Sequence, residues 1–513
     1  MEDFMDKTFY ITTPIYYPSQ KLHIGHAYCT TIADTVARYK RLTNHDVFFL
    51  TGSDEHGQKL QRAAQSHNLS PLEYIDPIVD SFKELWRRLD ISYDDFIRTS
   101  EPRHQKVVQD FFAKLQANGD IYKGAYSGLY CTPCESYWLE RDLDEHGCCP
   151  DCHRPVEKVS EEAYFFRMSK YADRILKHIE DNPDFIVPTS RRNEMINFIK
   201  QGLEDLCVSR TTFDWGIPVP NDPKHVIYVW FDAVINYITP LINDPERMQK
   251  FWPADIHLVG KEIVRFHTII WPCMLMAAGL PLPKQIYGHG WLVIDNEKMS
   301  KSKGNVVDPI LLIDEFGADA LRYFLLREIT LGQDGTFSRD ALINRINADL
   351  ANDLGNLLHR TLNMIGKFQK GIVSAPEGQS DIDRSLIEMA ETTVENYKSL
   401  MDKLELSSAI KTVWAFVSRS NKYIDETAPW KLAKDPSKAQ ELANVMYNLV
   451  ESLRMIAVMI SPFMPSTAKK IFEQLKLDPS EQLKIESISA FGGFPVGHSV
   501  GKPEQLFPRI IIN

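Results

Sequence analysis

Residues 8–26, TFYITTPIYYPSQKLHIGH, decide the fold class of this 513-residue chain. The run 8–12 predicts a buried strand, a turn rich in Pro and Tyr follows, and residues 24–42 have the length of a helix. A second strand at 47–50 completes the opening of a βαβ unit. A comparable unit recurs as strand 256–259, helix 262–278 and strand 285–287. We therefore predict an α/β fold whose parallel sheet is divided between two parts of the chain.

The segment between these two units has a different character. Residues 119–225 contain a cluster of cysteines and end in the Pro-rich run 217–223, which is typical of an inserted module. After about residue 340 the strand pattern fades, and apolar residues at helical spacing, such as Ile410, Val413 and Val417, predict a helix bundle. The expected units are 1–118 and 226–340 for the two halves of the sheet, 119–225 for a connective insertion and 341–513 for the helices.

Composition excludes several classes of protein. Apolar residues make up 44% and charged residues 25%, which is typical of a folded globular chain. The formal net charge is -11, so any nucleic-acid contact must come from local basic or aromatic patches. The amino terminus lacks a basic leader, and no apolar run has membrane-spanning length, so we expect a cytoplasmic protein without a membrane partner.

The tetrapeptide His23-Ile24-Gly25-His26 stands at the predicted strand-to-helix turn. Its two imidazoles are three residues apart and share one face of the first helical turn, where backbone N–H groups and the helix dipole favour an anion. Gly25 lets a flat base approach the backbone, and the histidines can hold phosphoryl oxygens in the transition state. The pattern predicts a triphosphate site, although a chance occurrence is the alternative.

A second polar motif, Lys298-Met299-Ser300-Lys301-Ser302, follows the second βαβ-like unit. Its ammonium groups could close over a leaving pyrophosphate, whereas most Lys/Ser runs are solvated loops. The order of the two motifs favours the functional interpretation, because a prespecified five-residue match is expected by chance only on the order of 10⁻⁴ times here.

Four cysteines form two pairs, Cys131-x₂-Cys134 and Cys149-x₂-Cys152. This spacing suits one structural Zn²⁺ with closed tetrahedral coordination. Cys148 is a competing candidate ligand, and four free thiols in a cytosolic protein are the alternative.

The two motifs together resemble the signatures of class I aminoacyl-tRNA synthetases. The resemblance implies a Rossmann-type catalytic domain, ATP with Mg²⁺, and attack of an amino-acid carboxylate on the α-phosphorus to give an aminoacyl-adenylate. His23 and His26 would then steady the phosphates, Gly25 would lie against ATP, and Lys298 and Lys301 would hold the departing pyrophosphate. The implied fold is a Rossmann-type parallel sheet split by a zinc-knuckle connective insertion and followed by an α-helical anticodon-binding bundle.

Further stretches resemble the methionyl-tRNA synthetase family in particular, namely those around Pro14, Gly52 to Gly57, Tyr228 to Ala233 and Gly260 to His267. By this resemblance Asp54 would bind the ammonium group of L-methionine. The pocket for the thioether would be lined by Pro14, Ile15, Tyr17, Trp230, Ala233, Tyr237, Ile263 and His267. For each aromatic residue taken singly, core packing is the more common role, and only the shared pattern favours the pocket.

The helical third resembles the anticodon-reading part of the same family at Asn356, Arg360, Pro429 and Trp430. Asn356 and Arg360 are four residues apart on one helix face, and Trp430 could stack on an unpaired base, although it could equally anchor a helix start in the core. The implied partners are initiator and elongator tRNA(Met), for translation initiation and elongation. No OB-like segment of alternating strands follows 506–509, which predicts either a monomer or a chain that has been shortened at this end.

Three rival functions remain. Another class I synthetase would need a larger editing insertion or a cysteine before His23. A nucleotidyltransferase would not need the second motif or the helical third, and a non-catalytic zinc-bearing tRNA-binding protein would be expected to lose the catalytic side chains.

Overall fold

The structure is a computed structural model that describes residues 7–138, 140–294, 297–298 and 306–511. Side chains are not described at positions 126, 127, 141, 161, 297 and 298. The first part of the chain forms β1 (Thr8–Tyr16), α1 (Ile24–Leu42), β2 (Asp46–Ser53), α2 (Gln58–Ser66), α3 (Pro71–Arg88), β3 (Asp95–Arg98) and α4 (Pro102–Ala117). The predicted βαβ opening is present, with the first helix at the expected residues.

The second part is mainly an antiparallel module. It consists of β4 (Ile121–Cys131), β5 (Ser136–Trp138), β6 (Glu157–Phe166), α5 (Ala172–Asp181), β7 (Ile186–Val187), α6 (Thr189–Lys200), β8 (Leu206–Cys207), β9 (Ser209–Arg210), β10 (Pro218–Val219) and β11 (Asp222–Ile227). One four-stranded sheet has the order β5-β4-β6-β8, and a smaller one has the order β10-β11-β9. The cysteine pairs lie at the end of the larger sheet.

The chain then returns to the first sheet. The third part contains α7 (Val229–Val234), α8 (Pro245–Phe251), β12 (Ile256–Gly260), α9 (Trp271–Ala278), β13 (Gln285–His289), β14 (Leu292–Ile294), β15 (Glu297–Lys298), α10 (Pro309–Phe316), α11 (Ala318–Glu328), β16 (Gly335–Thr336) and α12 (Arg339–Arg345). The main sheet is six-stranded and parallel, in the order β3-β2-β1-β12-β13-β7. The predicted division of one parallel sheet between two parts of the chain is therefore confirmed.

Two local features differ from the sequence prediction. Strand β7 lies within 119–225 yet pairs with β13 at the edge of the main sheet, so this segment is not wholly separate from that sheet. The helix predicted for 262–278 is interrupted, because the π-helical turn Phe266–Ile270 precedes α9. Such turns insert a residue into a helix and often occur at functional sites. The four unit boundaries stay predictions.

The last part is helical, as the apolar spacing predicts. A π-helical segment, Ile346–Gly355, leads into α13 (Asn356–Gln369), α14 (Asp381–Asp402), α15 (Leu406–Thr427), α16 (Pro429–Leu432), α17 (Ala439–Ile460), α18 (Pro465–Leu475) and α19 (Pro479–Gln482). Helix α1 is buried along most of its length and shares one apolar core with α14, α15 and α17. No helix in the described part of the chain is long and apolar enough to cross a membrane.

Candidate active site

A cavity of about 410 Å³ opens beside the carboxyl ends of β1 and β12. The chain runs outward from β1 through β2 and β3 on one side, and from β12 to β13 on the other, so the strand order reverses between β1 and β12. Ligands of parallel α/β sheets bind at this point, outside the carboxyl ends of the strands. The cavity is lined by the first motif residues His23, Gly25 and His26 and by Pro14, Ile15, Tyr17, Asp54, Trp230 and Ile263.

The two motif histidines cap α1 reciprocally. The His23 Nδ1 accepts a hydrogen bond from the Gly25 N–H at 3.1 Å, and the His26 Nδ1 accepts one from the His23 N–H at 3.1 Å. Burial, assisted by the neighbouring His23, holds the pKa of His26 well below its usual range. A neutral His26 whose Nδ1 accepts must carry its proton on Nε2, which is therefore a hydrogen-bond donor.

The segment after the second motif is held near the same helix terminus. The Val307 carbonyl oxygen accepts a hydrogen bond from the Ile24 N–H at 3.1 Å, and Lys298, the first residue of the motif, lies in β15 and pairs with Val293 of β14. The side chain of Lys298 is not described, and Lys301 lies outside the described residues. The chain after the motif thus contacts the start of α1, and the first residue of the motif pairs with β14, the strand that begins at the cavity-lining Leu292.

Asp54 follows β2, and its side chain lines the cavity. Its Oδ1 is buried and has no hydrogen-bond partner among the described residues. Burial raises the pKa of Asp54 well above its ordinary range, and the nearby carboxylates of Asp232, Glu135 and Glu55 raise this pKa further. A buried carboxylate in this environment is stabilised by an incoming cation.

A small cavity of about 30 Å³ continues from the large one behind Asp54. It is lined by Pro14, Ile15, Asp54, Trp230, Ala233, Val234, Asn236, Tyr237, Ile263 and His267. All nine residues that the sequence assigns to methionine therefore line one or both of these adjoining cavities. The walls are aromatic and aliphatic, which suits a polarizable thioether.

Hydrogen bonds fix the deep end of this small cavity. The His267 Nδ1 lies 2.9 Å from the Ile263 carbonyl oxygen, which can only accept, so Nδ1 carries the proton. Burial lowers the pKa of His267 to about 4, and the neutral ring then accepts at Nε2 from the Tyr237 hydroxyl at 2.7 Å. At the mouth, Trp230 stacks on Phe266 with ring centroids 3.7 Å apart.

A buried His–Asp–His cluster supports the cavity from behind. The Asp232 carboxylate lies 2.6 Å from the His56 Nδ1 and 2.7 Å from the His104 Nε2, and His104 also contacts Thr239. Burial opposes ionisation of Asp232, but His56 and His104 lower its pKa below the ordinary value. Both His56 and Asp232 lie in stretches that carry the family resemblance, although sequence reasoning assigned them no role.

The cysteine cluster is geometrically suited to a metal ion. The sulfur atoms of Cys131, Cys134, Cys149 and Cys152 all lie within 4.8 Å of one another, with Cys131–Cys152 at 3.6 Å and Cys134–Cys149 at 3.9 Å. A tetrahedral site with Zn–S bonds of about 2.3 Å has sulfur–sulfur edges of roughly 3.8 Å. The Cys148 sulfur points instead to the His146 carbonyl oxygen, 3.9 Å away.

The cysteine loop also forms part of the large cavity. Pro133, Cys134 and Glu135 line it, and Glu135 has a left-handed backbone with φ of 50°. Burial raises the pKa of the Glu135 carboxyl to about 7. Its Oε1 accepts from the Lys59 N–H at 3.2 Å and lies against Gly57, whose φ of 115° favours glycine at that position. The sequence alone gave no signal that this carboxylate reaches the cavity.

The opposite wall contains another set of residues that sequence reasoning missed. Trp291 donates from Nε1 to the Glu262 carboxylate at 2.8 Å, and its backbone N–H donates to Asp334 at 2.8 Å. Lys261 bonds Asp334 at 2.7 Å and lies 4.0 Å from the centroid of the Trp291 ring. Charged and aromatic groups therefore face the cavity beside the histidine motif.

The anticodon candidates lie on the helical part. Asn356 and Arg360 occupy successive turns of α13, and Arg360 forms an ion pair with Asp425 at 2.7 Å. Pro429 is buried at the first position of α16, whereas Trp430 is 42% exposed. Trp430 is therefore not a core anchor in this structure, and its ring is accessible to a partner.

The fold and the cavity define the class. The chain has a parallel sheet, a histidine-capped helix at the point where the strand order reverses, and a helical bundle after the sheet. Residues 9–161 and 154–362 match the family model "tRNA synthetases class I (M)". The model "Anticodon binding domain of methionyl tRNA ligase" matches residues 374–512.

Individual relatives indicate the same family. Methionine--tRNA ligase of Caldanaerobacter subterraneus subsp. tengcongensis is 62% identical, over 99% of this chain and 79% of its own length, and that of Clostridium tetani is 59% identical, over 98% and 79%. The structure of Mycobacterium tuberculosis methionyl-tRNA synthetase in complex with methionyl-adenylate has a TM-score of 0.94 at 40% identity, covering 98% of this chain and 100% of that one. The chain belongs to the methionyl-tRNA synthetase family. It activates methionine with ATP and charges tRNA with it.

Proposed function

We propose that Asp54 and the small cavity behind it bind methionine, with the ammonium group at Asp54 and the thioether between Trp230, Tyr237 and His267. The observation that carries this assignment is that Asp54 lines both cavities while its buried Oδ1 has no hydrogen-bond partner in the described chain. A relative with a TM-score of 0.94 is described as bound to methionyl-adenylate, which is consistent with amino acid and nucleotide sharing one site.

The proposed reaction uses positioning and electrostatic stabilisation. The methionine carboxylate attacks the α-phosphorus of ATP, an oxygen–phosphorus bond forms, and the bond to pyrophosphate breaks. The Nε2–H groups of His23 and His26 donate to phosphoryl oxygens, while Lys298 and Lys301 hold the leaving pyrophosphate, and Mg²⁺ accompanies ATP. A ribose hydroxyl at the 3′ end of tRNA then attacks the activated carbonyl, and AMP leaves.

Replacing Ala233 with valine tests the pocket assignment. Ala233 is 4% exposed and lines the small cavity, so two added methyl groups fill space that the thioether needs. We expect the KM for methionine in ATP–pyrophosphate exchange to rise by roughly 10-fold, with the KM for ATP changed by less than about twofold. The matched control is Ala64→Val, a buried alanine of α2 outside both cavities. An equal rise in both KM values for Ala233→Val would contradict the assignment.

We also propose that Cys131, Cys134, Cys149 and Cys152 hold one structural Zn²⁺. The four sulfur atoms have the spacing of a closed tetrahedral site, which leaves no open position for catalysis. The ion would order the loop that places Pro133 and Glu135 in the wall of the active-site cavity.

Removing one thiolate should release the metal. Cys131→Ser is expected to lower the zinc content from about one ion per chain to below roughly 0.2, measured by atomic absorption, and to lower the thermal unfolding midpoint. The KM for methionine should rise as well, because the loop lines the cavity. Cys148→Ser is the control, since its sulfur lies outside the cluster. Equal zinc loss in both variants would refute the proposed ligand set.

For tRNA, we propose that Asn356, Arg360, Pro429 and Trp430 read the anticodon of initiator and elongator tRNA(Met). The exposed Trp430 ring offers a stacking surface, and Pro429 fixes the start of the short helix that presents it. We further propose that the protein is a monomer and is located in the cytoplasm. The proposed units of the chain are 1–118, 119–225, 226–340 and 341–513.

A further inference from the structure

The helix that begins with the first motif also extends to the helical third of the chain. Helix α1 has 19 residues, which corresponds to a rod of about 28 Å. His23 caps its amino end at the active-site cavity. Near its other end, Tyr39 donates to the Lys398 carbonyl oxygen at 3.3 Å, and Lys40 pairs with Asp402 at 2.9 Å. One rigid element therefore contacts both the reaction site and the bundle.

A buried ion pair lies between these two ends of α1. The Asp34 carboxylate and the Arg322 guanidinium, on α11, are 2.7 Å apart, and both side chains are fully buried. The Asp34 Oδ1 also accepts from the backbone N–H and the hydroxyl of Ser92, each at 2.7 Å, and its Oδ2 accepts from Arg38 at 2.8 Å. The carboxylate is thus fully satisfied, in contrast to Asp54.

Arg322 joins three segments of the chain. Its Nε donates to the Phe463 carbonyl oxygen at 2.9 Å, its Nη2 to that of Pro462 at 3.0 Å, and its Nη1 to that of Leu89 at 3.1 Å. Pro462 and Phe463 belong to the turn between α17 and α18, inside the region matched by the anticodon-binding model, whereas Asp34 and Leu89 belong to the catalytic match. Only a guanidinium offers donors in the fork that these acceptors require.

A second contact fixes the same junction one turn away. Asp319, on α11, accepts hydrogen bonds from the backbone N–H of Thr467 at 2.5 Å and from the Thr467 hydroxyl at 2.7 Å. Thr467 lies in the first turn of α18, so α11 is attached to the start of that helix as well as to the preceding turn. The orientation of the bundle relative to α1 is thereby specified by directional bonds and not by apolar packing alone.

We propose that Arg322, paired with Asp34, is a positioning residue for tRNA charging: it fixes the anticodon-binding helices to the helix that carries the first motif. Amino-acid activation uses only the cavity at the end of α1 and does not need this orientation. Charging requires one tRNA to contact the bundle and the cavity together, so loosening the junction weakens the productive alignment of the 3′ end.

Three measurements on the full chain test this proposal with Arg322→Lys and Asp34→Asn. They are methionine-dependent ATP–pyrophosphate exchange without tRNA, equilibrium binding of an isolated anticodon stem–loop RNA, and steady-state charging of full-length tRNA(Met). We expect exchange and stem–loop affinity to stay within about twofold of the parent. The kcat/KM for charging should fall by about 10-fold or more.

Two controls separate positioning from loss of stability. Arg454→Lys weakens a buried Arg–Glu pair that lies within the bundle, so it should lower the thermal midpoint but leave the ratio of charging to exchange unchanged. Asp402→Asn removes a half-exposed ion pair at the same junction and should change little. If Arg322→Lys does not fold, Asp34→Asn carries the test, because Arg322 then keeps its three carbonyl acceptors. A parallel fall of exchange and charging, or an unchanged ratio in both variants, would overturn the proposal.

Discussion

Replacing Asp54 with asparagine is expected to lower the kcat/KM for methionine in ATP–pyrophosphate exchange by about 10²- to 10³-fold. The Asp54 Oδ1 is buried and, among the described residues, without a hydrogen-bond partner, so the substrate ammonium would supply the donor that it lacks. Losing one partner of a desolvated charged hydrogen bond costs about 2–5 kcal/mol, or roughly 30- to 5000-fold in kcat/KM, and the expected loss lies in the middle of this range. The KM for ATP should change far less.

A methionine analogue without the amino group provides the matching deletion on the ligand side. If Asp54 and the ammonium group interact directly, the loss of transition-state binding free energy on removing both should be much smaller than the sum of the losses on removing each alone. Glu55→Gln is the control variant, since Glu55 is fully buried but already bonded to Arg98 at 2.6 Å and to Ser53 at 2.5 Å. Additive losses in the double comparison would exclude a direct contact.

Asp54→Asn should lower the activity but raise the stability of the unliganded protein. The pKa of Asp54 is raised above its ordinary value of 3.8, chiefly by burial, so the folded protein holds this proton more tightly than the unfolded chain does. The stability that this group contributes is present below pH of about 4 and is lost as pH rises through the folded pKa. Asp54→Asn should therefore unfold at a higher temperature than the parent at pH 7, and the difference should vanish near pH 4.

Much of the architecture follows from local patterns. The strands around residues 24–42 are predictable because a buried parallel strand is a continuous apolar run, and the helix is predictable because its length between two such strands suits a βαβ crossover. The cysteine spacing predicts the metal cluster for a similar reason, since two tight turns are enough to bring four sulfur atoms together. The π-helical turn at Phe266–Ile270 was not predictable, because the inserted residue depends on tertiary packing around His267.

Some residues of the candidate site could be predicted from the sequence, and others could not. Asp54 and Trp230 were found through the resemblance of residues 52–57 and 228–233 to the methionyl-tRNA synthetase family. The main sheet accounts for the position of Asp54, which follows the carboxyl end of β2. Glu135 was missed because its approach depends on the fold of the cysteine loop and on the positive φ of Gly57 opposite it. Arg322 was missed for the same reason, since its acceptors lie at Leu89, Pro462 and Phe463, far away in the sequence.

Replacing His26 with asparagine is expected to lower the kcat of methionine-dependent exchange by about 10²- to 10³-fold, the usual effect of removing one donor to a developing negative charge. An asparagine Oδ1 can replace the His26 Nδ1 as acceptor for the His23 N–H, so the helix cap and the thermal midpoint should be kept. What is lost is the Nε2–H that faces the cavity. A large fall in the midpoint together with the rate would show that the histidine acts only on folding.

The pH profile provides an independent test of the same assignment. Burial and the neighbouring His23 depress the pKa of His26, so in the free enzyme the ring is already neutral and its tautomer is fixed by the His23 N–H. The kcat/KM for ATP should therefore show no ionisation from His26 between about pH 6.5 and 8. His26→Gln should recover part of the rate lost in the asparagine variant, because its amide nitrogen reaches the position of Nε2. Rescue by glutamine together with a flat profile would identify a neutral donor, whereas a loss of rate as pH rises through 6.5 would indicate that an imidazolium is the active form.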